Sequence, residues 1–534
     1  MTSNEQPATS RHYNLSMRAI LSPDEMRAMD EFTIKRLGVP DAVLMESAGR
    51  GCFAGLSELY GDLAGASVVV VAGKGNNGGD GFVIARYASF AGAGVRVFLL
   101  GKKSELKGSP KIYAGVLEKL GIEIEETTTR SRKLAAALAD ADLVVDAVFG
   151  TGFSGKADGL YAWAIEAINA SDGFVFSVDI PSGVDGATGK AAGPAVAADA
   201  TATMAYPKIG HFIYPGRFLT GELFVVDIGI PPVLESAARR WIPDHEDIAE
   251  IIPMRFGPEN KSSFGRFLVV AGSWQYSGAA ILAGQGALRA GAGIVYLAVP
   301  ESLKPHLVGK LTEAILVGLP EKGGSIAQGG LESLKSLKPD AMVLGPGLGR
   351  TAGAKKAALE LLTGLDVPAI VDADGLWAIA GELDGLLKKR KFPLVLTPHP
   401  GEMALFTGGN PTEIDENRLR VAEDFASVRE KLVLVLKGGP TITATGDMTY
   451  LNPTGNPGMA VGGSGDVLAG VIGSLLAQGV AAEDAALAGV YLHGLAGDIA
   501  ADCLGEASLL PSDMADFLPD AMREVLEEPE ELEE

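Results

Sequence analysis

Three polar loops in the first half of the chain carry residues able to bind an anion and move a proton. Asn76, Asn77, Gly78, Gly79 and Asp80 follow the apolar run Ser67–Ala72. Asp146 precedes Gly150-Thr151-Gly152-Phe153-Ser154-Gly155-Lys156, and Asp179 with Ser182 closes a third apolar run. Gly73, Gly75 and Gly78 satisfy a G-x-G-x-x-G pattern, which lets backbone N–H groups approach a phosphate at a helix N-terminus. That pattern alone suggests a dehydrogenase. The next strand, however, ends Leu100-Gly101-Lys102-Lys103, without the acid that would hold ribose hydroxyls about 20 positions on. Asn76, Asn77 and Asp80 also supply more hydrogen-bonding side chains than a phosphate turn needs, although Asn, Asp and Gly serve as plain turn residues and caps as well.

The second half carries a different constellation. Gly455-Asn456-Pro457-Gly458 and Gly462-Gly463-Ser464-Gly465-Asp466 run into an apolar helix. Such a loop offers unpaired amides to phosphoryl oxygens, and Asp466 can accept the proton of a hydroxyl attacking a phosphate. The plainer alternative is that Asp466 caps the helix. No Walker A sequence occurs, so a nucleotide must use another cradle; Lys437, Gly438, Gly439, Pro440 and Thr441 end a strand and suit one. His12, His211, His245, His306 and His493 read as structural; His399 is distinguished by its setting, Thr397-Pro398-His399-Pro400-Gly401-Glu402.

The elements that must position these loops follow from short, β-branched, nearly continuous apolar runs, the mark of strands buried on both faces. Val95–Leu100, Leu143–Phe149, Phe174–Ile180 and Leu223–Ile228 join Ser67–Ala72 in the first half, with helical segments between most of them. The pattern predicts a Rossmann-like doubly wound α/β sheet with ligands at the strands' carboxyl ends. Ser22-Pro23-Asp24-Glu25 is a helix opening with a capping box, and a second helix is expected over Asp41–Tyr60. A Pro-rich, charged stretch near 233–254 separates a first domain at 17–232 from a second at 255–518, with an acidic tail at 519–534. Alternation restarts at Arg266–Ala271, Ile294–Val299, Ala341–Leu344, Ala369–Asp372, Leu394–Thr397 and Leu432–Lys437.

With 534 residues, two large domains are expected from about 100–200 residues each. A formal net charge of −22 argues against a nucleic-acid partner. The two cysteines, Cys52 and Cys503, read as reduced thiols. No apolar stretch reaches the ~20 residues of a membrane span, and the polar start lacks a signal segment, so no membrane is expected and a cytoplasmic location is.

Taken together, the Asn-Asn-Gly-Gly-Asp and Asp-Ile-Pro-Ser-Gly loops resemble the NAD(P)H-hydrate epimerase domain over roughly 17–232. Gly272-Ser273, Gly345-Pro346-Gly347, Asp372-Ala373-Asp374-Gly375, Thr-Pro-His-Pro-Gly-Glu and Gly-Gly-Ser-Gly-Asp resemble the ribokinase-like NAD(P)H-hydrate dehydratase domain over roughly 255–518. The resemblance implies a bifunctional enzyme that interconverts the epimers of hydrated NADH or NADPH and dehydrates one of them at the expense of ADP or ATP. It implies that Asn76–Asp80, Gly150–Lys156 and Asp179 bind the hydrate in the first domain, with Asp179 the candidate acid/base. Asn77, Asp146 and Ser182 would hold potassium through hard oxygen donors. In the second domain Ala279, Gly347, His399 and Asp466 would contact the hydrate, with Asp466 as base, while Lys437–Thr441 and Gly465 would hold the adenine nucleotide. Magnesium would accompany the phosphates, Glu402 being a candidate helper. The family further implies a homo-oligomer. Two rivals remain: a small-molecule kinase fused to a dinucleotide-binding domain, and a first domain that only senses dinucleotides or binds a protein partner.

Overall fold

A computed structural model describes residues 17–232, 238–255, 257 and 260–527. His12, part of the stretch expected as a linker and the last seven residues of the acidic tail lie outside the described residues. The chain divides into two compact units at Arg240 and Trp241.

In the first unit, Pro23–Lys35 is helix α1, with Ser22 Oγ accepting from Glu25 N at 3.3 Å and Glu25 Oε2 accepting from Ser22 N at 2.6 Å. This reciprocal pair satisfies two of the amides every helix start leaves unpaired. Helix α2 covers Asp41–Tyr60, α3 Asn76–Phe90, α4 Gly108–Lys119, α5 Arg132–Ala139 and α6 Gly159–Asn169. The strands are β1 (Ser67–Ala72), β2 (Gly94–Leu99), β3 (Ile124–Glu126), β4 (Leu143–Ala147), β5 (Phe174–Val178), β6 (Ala200–Met204) and β7 (Glu222–Val226). They lie in the order β3-β2-β1-β4-β5-β6-β7, all parallel. Chain direction across the sheet reverses between β1 and β4, where a doubly wound sheet opens its ligand crevice. Val69, Val71, Phe98, Val144 and Val175 pack on one face with Leu134, Leu138, Ala164, Ile165 and Ile168 of α5 and α6. On the other face α3 lies close: a Cβ on Gly81 would sit 2.6 Å from Ala147 Cβ.

The second unit restarts the alternation. Its strands are β8 (Arg266–Val270), β9 (Ile294–Pro300), β10 (Ile315–Leu319), β11 (Ala341–Leu344), β12 (Ala369–Val371), β13 (Leu394–Leu396), β14 (Leu432–Leu436), β15 (Ile442–Ala444) and β16 (Thr449–Leu451). They run in the order β16-β15-β14-β13-β12-β11-β8-β9-β10, parallel from β14 to β10, with β15 and β16 antiparallel. The winding reverses between β8 and β11. Among its helices are α7 (His245–Ile251), α8 (Ser277–Arg289), α9 (Ala352–Gly364), α10 (Pro400–Thr407), α11 (Ser464–Ala477), α12 (Ala482–Leu504) and α13 (Pro511–Leu526). Phe267, Val269, Val295, Val343, Ile370, Val395 and Val433 share one core with residues of α8, α11, α12 and α13.

Two stretches depart from the expected organisation. Within 233–254, Asp244 and Asp247 form a capping box that starts α7, and Ile248 and Ile251 enter the second core. Within 519–534, α13 continues to Leu526 and buries Ala521 and Val525. Prolines and charges marked both stretches as linker-like, but a few apolar residues at helical spacing are enough to dock them.

Candidate functional site

A cavity of about 720 Å³ opens over the carboxyl ends of β1, β4, β5 and β6. Asn76, Asn77, Asp80, Gly150–Ser154 and Asp179 line it together. Gly78 and Gly79 are buried beneath it: a Cβ on Gly78 would lie 2.0 Å from the Gly73 carbonyl oxygen, so this glycine is required by packing of the loop on itself. Lys156 lies beside Gly193, and neither it nor Gly155 reaches the lining.

Asp179 holds a left-handed backbone (φ 72°), uncommon for a non-glycine residue and characteristic of functional sites. Its Oδ2 accepts from Thr151 N at 2.8 Å and its Oδ1 from Lys208 Nζ at 2.8 Å. Burial pushes the Asp179 carboxyl up, but the Lys208 ammonium, its hydrogen bond and the Thr151 amide outweigh that and hold it below the usual carboxylate range. Lys208 is 1 % exposed and also donates to Thr203 Oγ1 and Met204 O. His211 braces the turn: its Nδ1 accepts from Lys208 N, and its Nε2 lies 2.9 Å from the Asp179 carbonyl oxygen. Burial and the Lys208 charge push that imidazole down to about 4, which keeps it neutral.

Sequence reasoning missed Lys208, Asp30 and Asp41, all of which line the cavity. Burial drives Asp30 up to about 6, against the pull of Lys208 and with help from Asp179 and Asp41. Asp80 is raised well above its ordinary value by burial, then by the charges of Asp179, Asp41 and Asp30. The cavity thus sets one carboxyl held below its ordinary range, Asp179, beside two held above theirs, Asp30 and Asp80. The available signal for Lys208 was a lysine in the apolar stretch Tyr206-Pro207-Lys208-Ile209. It went unread because β6, Ala-Thr-Ala-Thr-Met, lacks the hydrophobic run that marked the other strands.

Asp146 and Ser182 sit under this floor. Asp146 accepts from Ser182 N, Ser182 Oγ and Ser177 Oγ at 2.8, 2.6 and 2.9 Å. Both polar atoms of the Asn77 side chain are buried without a hydrogen-bond partner. A buried amide in that condition calls for a further partner, and its carbonyl oxygen suits a hard cation.

In the second unit the candidate residues gather over the carboxyl ends of β11 to β14. Gly463 precedes α11, so Asp466 falls in the first turn and is not its cap. Lys437 Nζ pairs with Asp372 Oδ1 at 2.8 Å and lies 3.8 Å from Glu402 Oε2. A Cβ on Gly465 would be 3.0 Å from Lys437 Nζ, which brings the ammonium under the α11 N-terminus. Burial pushes the Asp466 carboxyl up to about 7, Asp372 and Glu402 add to this, and Lys437 opposes it. The loop Gly438–Thr441 rests on the buried Arg418, whose guanidinium donates to Pro440 O at 2.6 Å.

Ala279 and Gly347 meet: a Cβ on Gly347 would lie 2.9 Å from Ala279 Cβ. His399 caps α10 through Nδ1, which accepts from Gly401 N and Glu402 N, and its Nε2 lies 3.5 Å from Glu402 Oε2 on a half-exposed ring. Arg418 and the partner role of Asp372 were not anticipated; Arg418 stands on a charged segment, Asn417–Glu423, with nothing in its spacing to single it out.

These features define a two-unit α/β protein with a glycine-rich polar cluster at the strand ends of each unit, the first of them lining a cavity. The NAD(P)H-hydrate dehydratase family matches residues 267–520, and the family described as YjeF-related protein N-terminus matches 41–210. The bifunctional NAD(P)H-hydrate repair enzyme of Moorella thermoacetica is 41% identical over 521 residues, covering 96% of this chain and 98% of its own. That of Thermofilum pendens is 40% identical over 513 residues, covering 94% and 96%. A crystal structure of ADP/ATP-dependent NAD(P)H-hydrate dehydratase from Bacillus subtilis, co-crystallised with ATP/Mg2+, is 32% identical with a TM-score of 0.45, over 53% of this chain and 97% of that one. The chain belongs to the bifunctional NAD(P)H-hydrate repair enzymes.

Proposed function

We propose that the first unit interconverts the R and S epimers of hydrated NADH and NADPH, and that the second dehydrates the S epimer using ADP or ATP. In the first unit Asp179 is the acid/base: inverting the hydroxyl-bearing ring carbon needs a proton to move on and off its oxygen or the ring nitrogen. Lys208 keeps Asp179 ionised and oriented. Asn77, Asp146 and Ser182 would hold a potassium ion, which supplies fixed positive charge for the anionic dinucleotide; the unpartnered Asn77 amide supports that set.

In the second unit Asp466 takes the proton of the ring hydroxyl as its oxygen attacks the terminal phosphoryl group of the nucleotide, and the phosphoanhydride bond breaks to release AMP from ADP or ADP from ATP. The ring C–O bond then breaks with its electron pair leaving on phosphate, and the neighbouring carbon loses a proton to water, which restores the ring double bond. Water is a poor leaving group and phosphate a good one, which is why a nucleotide is consumed. Amides at the start of α11 and Lys437 stabilise the transferred group. Lys437–Thr441 and Gly465 hold the nucleotide, and Ala279, Gly347 and His399 hold the hydrate. Magnesium would neutralise the nucleotide phosphates, and the carboxylates of Asp372, Asp374 and Glu402 are donors of the right hardness.

The observation that carries this reading is the placement of Asp466 and Gly465 beside the Lys437 ammonium, on a helix start open to a phosphoryl group. Mixed epimers, ADP or ATP and magnesium should regain reduced-nicotinamide absorbance completely. Asp466→Asn should stop dehydration while epimers still interconvert. A phosphorylated product that accumulates would favour the small-molecule kinase instead. The family resemblance also leads us to assign a homo-oligomer, which light scattering checks, and the polar first residues of the sequence lead us to place it in the cytoplasm, which fractionation checks.

A further inference from the structure

Trp274 lies in the loop after β8, and 53 % of its surface is exposed, yet its ring is held in place from several sides. Its indole Nε1 donates to Ser302 Oγ at 2.9 Å, and Ser302 Oγ donates onward to Glu321 Oε2 at 2.7 Å. The His306 ring packs edge-on with centroids 5.0 Å apart. Gly324, in the hairpin Glu321–Ile326, has φ 76° and approaches so closely that a Cβ there would lie 2.5 Å from Trp274 Cδ1. The main chain is fixed too: Trp274 N donates to Gly324 O at 3.0 Å, and Ser273 Oγ donates to Gly347 O at 2.8 Å. An exposed indole immobilised in this way presents a rigid π surface beside Gly347, at no further entropic cost when a flat ring lands on it.

We infer that Trp274 is a stacking platform for the adenine of the hydrated dinucleotide, the base distant from the reacting ring. This rests on the dehydratase reading of the second unit. Strand order decides which heterocycle it takes. Lys437 follows β14 and Trp274 follows β8, four strand intervals apart, or about 19 Å at ~4.8 Å each. The nucleotide co-substrate, held at Lys437–Thr441 after β14, is anchored at the end of that span away from the indole. Asp466 and Gly465 stand by Asp372 and Lys437, over β12 to β14, so the ring being phosphorylated is also remote from Trp274. Gly347 and Ala279 lie between, and a dinucleotide running past them carries its second base toward β9, where Ser302 and His306 secure the platform.

The test compares dehydration of the S epimer of NADH hydrate with that of hydrated reduced nicotinamide mononucleotide, which lacks the adenosine, in the full chain. Trp274→Ala should raise KM for the dinucleotide hydrate about tenfold, the size expected for losing one base–aromatic stack, with kcat within about twofold. Trp274→Phe should recover most of that loss. KM for the mononucleotide hydrate should be the same in wild type and both variants. A dinucleotide KM unmoved by Trp274→Ala, or moved equally for both substrates, overturns the platform while leaving the dehydratase reading intact. Absence of turnover by the wild type with either substrate overturns the dehydratase reading itself, and the platform with it.

Discussion

The two central carboxylates are tuned in opposite directions by neighbours that can be removed one at a time. Asp179 is depressed because Lys208 outweighs burial, so Lys208→Met should leave the carboxylate buried and unpaired. Epimerase kcat/KM should fall at least a hundredfold at neutral pH, and the acidic limb of its pH profile should move upward; an unchanged limb would mean that Lys208 does not set the Asp179 titration. Asp466 is raised to about 7 by burial and by Asp372. A carboxyl whose folded pKa lies above its unfolded value favours the fold below the unfolded pKa, and that contribution is lost as pH rises through the folded pKa near 7. Asp466→Asn should therefore raise Tm by a few degrees at pH 8 and progressively less toward pH 5, in differential scanning calorimetry, while abolishing dehydration. In wild type, kcat/KM for dehydration, which reports the free enzyme, should climb through pH 7 as Asp466 ionises. Most members of these sites could be read from the chain because their loops are dense in Gly, Asn and Asp. Lys208, Asp30 and Asp41 could not, since a lone lysine in an apolar stretch, or one more acid at or near a charged helix, gives no periodic signal and its role depends on which strand ends converge.

At the scale of elements, the position of Asp466 depends on how closely α11 approaches α8. A Cβ on Gly470 would lie 2.1 Å from the Ala283 carbonyl oxygen, and one on Gly286 would lie 2.5 Å from the Val467 carbonyl oxygen. Backbone cannot yield as a side chain does, so Gly470→Ala must move the helices apart. The expected cost is about 1–3 kcal/mol of stability, the range for overpacking, with dehydration impaired more than tenfold as Asp466 shifts. Epimer interconversion, carried by the other unit, should be unaffected; if dehydration also persists at the wild-type rate, the α8–α11 contact does not position the base. The long parallel strands were legible as apolar runs, and β1 and β11 begin and end where those runs do. Among the numbered strands, β3, β6, β10, β15 and β16 were not: they are short, Thr-rich or at an edge, and their pairing comes from tertiary context. The helix α7 was hidden for a related reason, as the flanking Pro243 and Pro253 and its own acids signal a boundary while Ile248 and Ile251 supply the burial.

For the whole molecule, two sites on one chain raise the question of how the product of one reaches the other. The first site's lining comes wholly from the first unit, and the residues proposed for the second site belong to the other compact unit. The R epimer must leave the first site as the S epimer before the second can act on it. Passage through solvent is then the expected route. Asp179→Asn should dehydrate only the S fraction of mixed epimers beyond what spontaneous exchange supplies, and Asp466→Asn should dehydrate neither. An equimolar mixture of the two variants should nevertheless recover reduced nicotinamide from pure R epimer to the wild-type plateau, each chain contributing its intact unit. The approach to that plateau should slow with dilution for the mixture and for wild type alike, as expected of an intermediate that diffuses freely. If the mixture stalls while wild type proceeds, the hydrate is handed over within one chain, and the independence of the two crevices is wrong.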